Sequence, residues 1–171
     1  MTEPSRAEAL VAGATLREKG HFYESFVVGQ VFRHHWGRSV TEADAVLFTT
    51  LTCNSNPLYF NREYALAHGH RDLVVNPLLV FNTVLGLSVE DLSEVGGPFV
   101  GIDGLDYGVA VHPGDTLRAE SETMAVRLSR SNPDNGLVTW RTRGFNQRDE
   151  QVVEFVRTNI VRKRDAREHF V

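Results

Sequence analysis

Asn76-Pro77-Leu78-Leu79-Val80-Phe81-Asn82-Thr83-Val84-Leu85-Gly86-Leu87 is the stretch that decides the fold. Asn76 suits a helix N-cap, and Pro77 suits the first helical position, where a missing N–H costs nothing. The residues that follow are apolar on nearly every face, and a helix apolar all round must be buried. In a chain of 171 residues, such a helix has to lie inside something that encloses it.

The C-terminal half supplies the enclosure. Asp115–Arg130 alternates, with Leu117, Ala119 and Ser121 set against Arg118, Glu120 and Glu122. Leu137–Arg148 alternates too, with Val138 and Trp140 against Thr139, Arg141 and Arg143. Asn135-Gly136 reads as the turn between them. Arg148-Asp149-Glu150 turns the chain into Val152–Arg162, whose apolar run suits a central strand. Three consecutive hairpin-linked strands after one apolar helix predict an α+β domain. The apolar faces near 152–161 also predict a sheet edge in need of a partner.

Upstream, residues 1–20 form a polar arm, loose or helical. A first strand follows from Phe26-Val27-Val28-Gly29-Gln30-Val31-Phe32 through His34 and Trp36. Thr41-Glu42-Ala43-Asp44 starts a helix, with Thr41 as cap and Asp44 as acidic partner. Ala43, Val46, Leu47 and Leu51 recur on it at helical spacing, and it stops at Asn54-Ser55-Asn56-Pro57. Arg62 to His68 predicts a second, short helix.

Composition narrows the class. Hydrophobic residues make up 42% and charged residues 23%, ordinary globular usage for one domain. The one cysteine, Cys53, excludes an intrachain disulfide and reads as a buried structural thiol rather than a nucleophile. A polar start at Met1-Thr2-Glu3-Pro4-Ser5 and apolar runs no longer than Leu78-Leu79-Val80-Phe81 predict a cytoplasmic protein with no membrane span. A net charge of −4 argues against nucleic-acid partners. The basic stretch Arg157, Arg162, Lys163, Arg164, Arg167 reads as a solvated strand end and tail, with contact to ligand phosphates as the alternative. His34, His35 and His112 have no metal-ligand spacing, so no metal is expected; they read as strand surface residues.

Several motifs carry a resemblance. Phe22-Tyr23-Glu24-Ser25-Phe26, Gly37-Arg38-Ser39-Val40-Thr41-Glu42-Ala43-Asp44, Asn56-Pro57-Leu58 and His112-Pro113-Gly114-Asp115-Thr116-Leu117 resemble the MaoC-like dehydratase family of hot-dog-fold proteins. That family includes the R-specific enoyl-CoA hydratases. Phe145-Asn146-Gln147-Arg148 and Val161-Arg162-Lys163-Arg164-Asp165 look closest to its mesaconyl-CoA hydratase (β-methylmalyl-CoA dehydratase) branch. The resemblance covers roughly residues 20 to 165. It implies a hot-dog domain over 21–165, a curved antiparallel sheet wrapped round a central buried helix, with a tail at 166–171. It also implies an acyl thioester ligand on CoA or a carrier protein, no other cofactor, and a homodimer or larger assembly, with a heteromeric partner as a further option.

The same resemblance locates the chemistry. Its hydratases place an Asp and a His in a helix-ending loop, where they flank a water and share the proton work of syn addition to a 2-enoyl thioester. Here those positions hold Asn54 and Tyr59. An amide orients water but does not titrate, and a phenol with an ordinary pKa near ~10 is a proton donor at neutral pH. The family's oxyanion donor, a backbone N–H at the helix start, falls on Pro77, which has none. The Asn76 side chain and the Leu78 N–H are the substitutes, and Asn56 belongs to the same loop. Arg141 and Arg143 are the expected partners for a carboxylate on a short, branched or dicarboxylic acyl group.

Plainer roles exist for each of these residues. Asn54 suits left-handed helix-ending geometry, Tyr59 suits a packed aromatic, and Pro77 suits a helix start. Polar groups gathered at the mouth of a buried helix nevertheless read as a binding site. Three functions are compatible with it: a hydratase or dehydratase with an altered catalytic pair, an inactive thioester-binding subunit supporting an active partner, and a thioesterase on the same scaffold.

Overall fold

The computed structural model describes residues 11–14 and 20–166, and between residues 20 and 166 it has three α-helices and six strands. The expected arm (1–20) and tail (166–171) lie almost wholly outside the described residues. Strands β1 (Val31–Arg33) and β2 (Arg38–Ser39) come first, then helices α1 (Glu42–Leu51), α2 (Arg62–Ala67) and α3 (Pro77–Leu92). Strands β3 (Phe99–Tyr107), β4 (Thr116–Leu128), β5 (Asn135–Phe145) and β6 (Gln151–Arg162) complete the chain. The sheet is antiparallel in the order β1-β4-β5-β6-β3, with β2 also paired to β4.

Helix α3 lies across β4, β5 and β6, giving the hot-dog arrangement that the motifs imply. Leu117, Ala119, Val153 and Phe155 from the sheet meet Val80 and Val84 from the helix, and the Phe81 ring meets Phe155 edge-on with centroids 4.9 Å apart. Gly144 has a packing reason: a Cβ there would run into Val84. Asn76 and Pro77 start α3 as expected, and the Thr41–Asp44 capping box starts α1.

Several expectations are corrected. Helix α3 is not buried all round: Val80, Val84, Ser88 and Leu92 form one buried stripe, while Leu78 is 49% exposed and Val89 38%. One sheet face can cover only one side of a helix. Helix α1 turns Leu47 and Leu51 outward and buries Ala45 and Thr49, whose small side chains allow close approach. Asn135-Gly136 lies inside β5, where the Tyr23 ring presses so close to Gly136 that a Cβ has no room; the β4–β5 turn is made by residues 130–134. The sheet has a further strand, β3, whose bulges between Phe99 and Gly101 and between Asp103 and Leu105 break the period of two. Because β3 pairs with β6, the 152–161 segment is interior, and β3 is the edge strand on that side of the sheet, with β1 at the other.

Individual side chains are corrected as well. Cys53 is exposed and itself adopts the left-handed conformation at φ 54° that Asn54 was expected to take. His34 and His112 are buried, not surface residues. Arg157 is buried too, with its guanidinium over the Trp140 ring at 5.4 Å. Among the described residues, no helix is long and apolar enough to cross a membrane.

Candidate active site

A cavity of about 190 Å³ opens where α3 begins, lined by Val74, Val75, Pro77, Val80, Tyr107 and Val111 among others. Its wall is apolar, and the sequence explains why it is held open there. The chain approaches α3 as an extended segment pinned on both sides. Val75 N–H donates to Val111 O at 2.8 Å, and Val74 N–H donates to Leu58 O at 3.0 Å. The second bond ties the Pro57–Tyr59 turn to the cavity wall. Asn56 caps that turn, its Oδ1 accepting the Leu58 N–H at 3.1 Å.

A buried carboxylate fastens the same segment from behind. Asp115, in the His112-Pro113-Gly114-Asp115 motif, is 1% exposed. It accepts two bonds from Arg71 Nη2 at 2.7 and 2.8 Å, one from Gln147 Nε2 at 2.7 Å and one from the His112 N–H at 2.9 Å. Burial on its own would raise the Asp115 pKa. The bonds from Gln147, His112 and Arg71 outweigh it and hold the group at about 2. His112 Nδ1–H in turn donates to Leu73 O at 2.8 Å.

The first turn of α3 spends its donors internally. Leu78 N–H goes to Asn76 Oδ1 at 2.9 Å, and the N–H groups of Leu79 and Val80 go to Asn76 O at 2.9 and 3.1 Å. Asn76 Nδ2 is buried with no partner among the described residues. Of the two expected substitutes for an oxyanion donor, the Leu78 N–H is therefore engaged and the Asn76 amide is enclosed.

Tyr59 follows Leu58 directly and Asn76 lies two residues beyond Val74, so the Leu58–Val74 bond brings the two segments together, although neither side chain lines the cavity. Tyr59 lies close enough to Tyr107 to act on it electrostatically. Burial, and then the neighbouring Tyr59, push the Tyr107 phenol above its ordinary pKa. Asn54 is partly buried, its N–H donating to Thr49 O at 3.0 Å, and it is not part of the cavity wall. Arg141 and Arg143 lie on the sheet face away from α3 and do not line this cavity. Arg141 faces Glu122 at 3.9 Å and Glu154 at 3.7 Å, and Arg143 faces Glu120 at 3.2 Å. Tyr107 and the Arg71–Asp115 contact were not singled out from sequence. Asp115 had a signal, its place in the quoted motif, whereas Tyr107 sits on the strand whose alternation is broken.

Away from the cavity, His34 Nδ1–H donates to Asp91 Oδ2 at 2.5 Å, and its Nε2 lies 2.9 Å from the Ser121 hydroxyl. Burial lowers the His34 pKa in spite of the hydrogen bond to Asp91. A larger groove of about 310 Å³ lies further along α3, between Trp36, Arg38 and Gly86; no residue of the 54–59 loop lines either space, but the Leu58–Val74 bond ties that loop to the smaller cavity. Among the described residues, no three His, Cys, Asp or Glu side chains come together as a metal site.

A curved antiparallel sheet round one helix, with a capped loop and a cavity at the helix start, defines a MaoC-like hot-dog protein. Known proteins agree. The family model for mesaconyl-CoA hydratase matches residues 1–169. The mesaconyl-CoA hydratase of Haloarcula hispanica is 33% identical over 159 residues, which is 92% of this chain and 44% of that protein. A MaoC domain protein from Chloroflexus aurantiacus superposes with a TM-score of 0.80 at 34% identity, over 89% of this chain and 44% of that one. A Mycobacterium tuberculosis protein with a double hot-dog fold superposes at 0.78 with 21% identity, over 88% and 47%. The chain belongs to the mesaconyl-CoA hydratase family. It spans less than half the length of the curated relatives it matches.

Proposed function

We propose that this chain is a hydro-lyase that hydrates a 2-enoyl thioester, or dehydrates the 3-hydroxyacyl thioester, with CoA or a carrier protein as the thiol. The observation that carries this is the cavity at the start of α3, apolar in its wall and lined by Tyr107, which Tyr59 approaches closely enough to act on electrostatically. An apolar wall suits an acyl chain, and a few polar groups at the rim suit its reacting end.

The chemistry follows from the altered pair. Water adds at C3 while a proton is delivered to C2. Tyr59 gives its phenolic proton to C2 and takes one from the attacking water, so that the phenol is regenerated and no separate base is needed. Asn54 orients the water through its amide. The family's relatives named for mesaconyl-CoA and β-methylmalyl-CoA favour a short, branched acyl group with a second carboxylate. Arg141 and Arg143 do not line this cavity, so an acyl carboxylate held within it would need another partner.

A second copy of the chain, or a partner chain, pairs with β3 in this reading. The unpaired edge exposes Phe99 and Val100, apolar surface of the kind an edge strand normally hides. An inactive thioester-binding subunit is the second reading, favoured by one observation: the first-turn N–H groups of α3 are all committed.

One experiment tests the first reading against the second. The pure protein is incubated with a panel of 2-enoyl- and 3-hydroxyacyl-CoAs, including mesaconyl-CoA, and products are followed by mass spectrometry. Gain or loss of one water supports the hydro-lyase. Release of free CoA indicates hydrolysis, and binding without turnover indicates the inactive subunit. Sedimentation of the same sample as a monomer at micromolar concentration would refute the paired edge.

A further inference from the structure

We infer that the Tyr107 hydroxyl is the hydrogen-bond donor to the thioester carbonyl oxygen in this cavity. The inference rests on the hydro-lyase reading and assigns a catalytic residue that the altered 54–59 loop does not contain. Addition of water at C3 drives negative charge onto the thioester oxygen, and a preorganised donor aimed at that oxygen is usually the largest single contribution to such a step. Helix starts normally offer one, because their first N–H groups lack partners within the helix.

This helix start offers none. Pro77 has no N–H, Leu78 gives its N–H to Asn76 Oδ1, and Leu79 and Val80 give theirs to Asn76 O. Asn76 Nδ2 is unpaired, but it is enclosed between the two wall residues Val75 and Pro77 and would have to leave the cap to reach a ligand. Tyr107 ends β3 and lines the same cavity beside Val75 and Pro77, with no hydrogen bond from its hydroxyl to another described residue. Burial and the neighbouring Tyr59 disfavour its phenolate, so at neutral pH it holds the proton that a donor must hold. Tyr59 is then left to handle the proton at C2. The two phenols divide the work: one polarises the carbonyl and the other transfers the proton.

Tyr107→Phe removes the oxygen and keeps the ring in the wall, so the fold and the apolar contact survive, which an unchanged melting temperature verifies. The expected result is a fall of roughly 10²–10³-fold in kcat, the size typical of losing one oxyanion donor, with KM changed far less. Infrared difference spectra of carbonyl-labelled butyryl-CoA, which cannot be hydrated, read the contact directly. The carbonyl band of the bound thioester is expected to lie lower with the wild-type protein than with Tyr107→Phe, and to be unmoved by Tyr59→Phe. An identical band position in wild type and Tyr107→Phe overturns the inference, whatever the turnover. If the band moves but no enoyl-CoA is hydrated, the contact stands and the hydro-lyase reading falls. If butyryl-CoA does not bind the wild-type protein, both fall together.

Discussion

Asn76 Oδ1 accepts the Leu78 N–H at 2.9 Å, so one side chain both starts α3 and occupies a first-turn backbone donor. Asn76→Ala should cost about 1–2 kcal/mol through the lost cap. For a chain of this length, that corresponds to a fall of roughly 2–8 °C in melting temperature. Calorimetry checks it. An unchanged midpoint would mean that the cap contributes nothing to stability.

Asp115 sets the acid limit of the fold. Its folded pKa of about 2 lies below the ordinary carboxylate value, so its stabilising contribution is fully present above pH ~4. It is lost as pH falls from about 4 to about 2. Asp115→Asn should remove roughly 2 kcal/mol at neutral pH and flatten the acid limb of the stability curve. Urea denaturation at several pH values measures both. An acid limb as steep in the variant as in the wild type would assign acid sensitivity to another group.

Arg157 is 1% exposed, and its Nε and Nη2 have no partner among the described residues. Burial lowers its pKa to about 10, which still leaves it charged at neutral pH. Stacking on Trp140 offsets part of that cost. Arg157→Met keeps a long apolar side chain and removes the charge, and should stabilise the protein by about 1–3 kcal/mol. A lower melting temperature would show that the guanidinium has a compensating partner in the functional assembly.

The motif resemblance implies that Asn54 and Tyr59 replace an Asp and a His of related hydratases, and the proposed chemistry rests on that pair. If the cavity admits a 2-enoyl thioester and proton transfer limits the rate, Asn54→Asp with Tyr59→His should raise hydration by ~10²–10⁴-fold over wild type. Either change alone should do much less, because such groups act as a unit. Tyr59→Phe in the wild-type background should abolish turnover while leaving butyryl-CoA binding intact. A neutral Tyr59→Phe together with a silent double variant would remove Tyr59 from the chemistry.

The hot-dog architecture was legible because its main signals are local. Asn76-Pro77 marks a helix start whatever surrounds it, and Leu117, Ala119 and Ser121 alternate with Arg118, Glu120 and Glu122 exactly as β4 presents them. The Thr41–Asp44 capping box is likewise a matter of three residues' spacing. The loop holding Asn54 and Tyr59 could be placed by motif, since order along the chain carries over between relatives.

Other features depended on contacts distant in sequence. Strand β3 hides its period behind two bulges, and only pairing with β6 reveals it. Tyr107 reaches Val75 and Pro77 across about thirty residues of chain, and Arg71 reaches Asp115 across 44. Arg141 and Arg157 look alike as basic residues on apolar strands, yet one faces glutamates outside the sheet and the other lies over Trp140 beneath α3. Sequence by itself determined the helix, the alternating strands and the capped turn at Asn56-Pro57, because propensity, capping and periodicity act between near neighbours. Which side chains line the cavity, which donors remain free and which charges are buried was decided by tertiary structure alone, because those depend on strand register and on the face each strand turns toward α3.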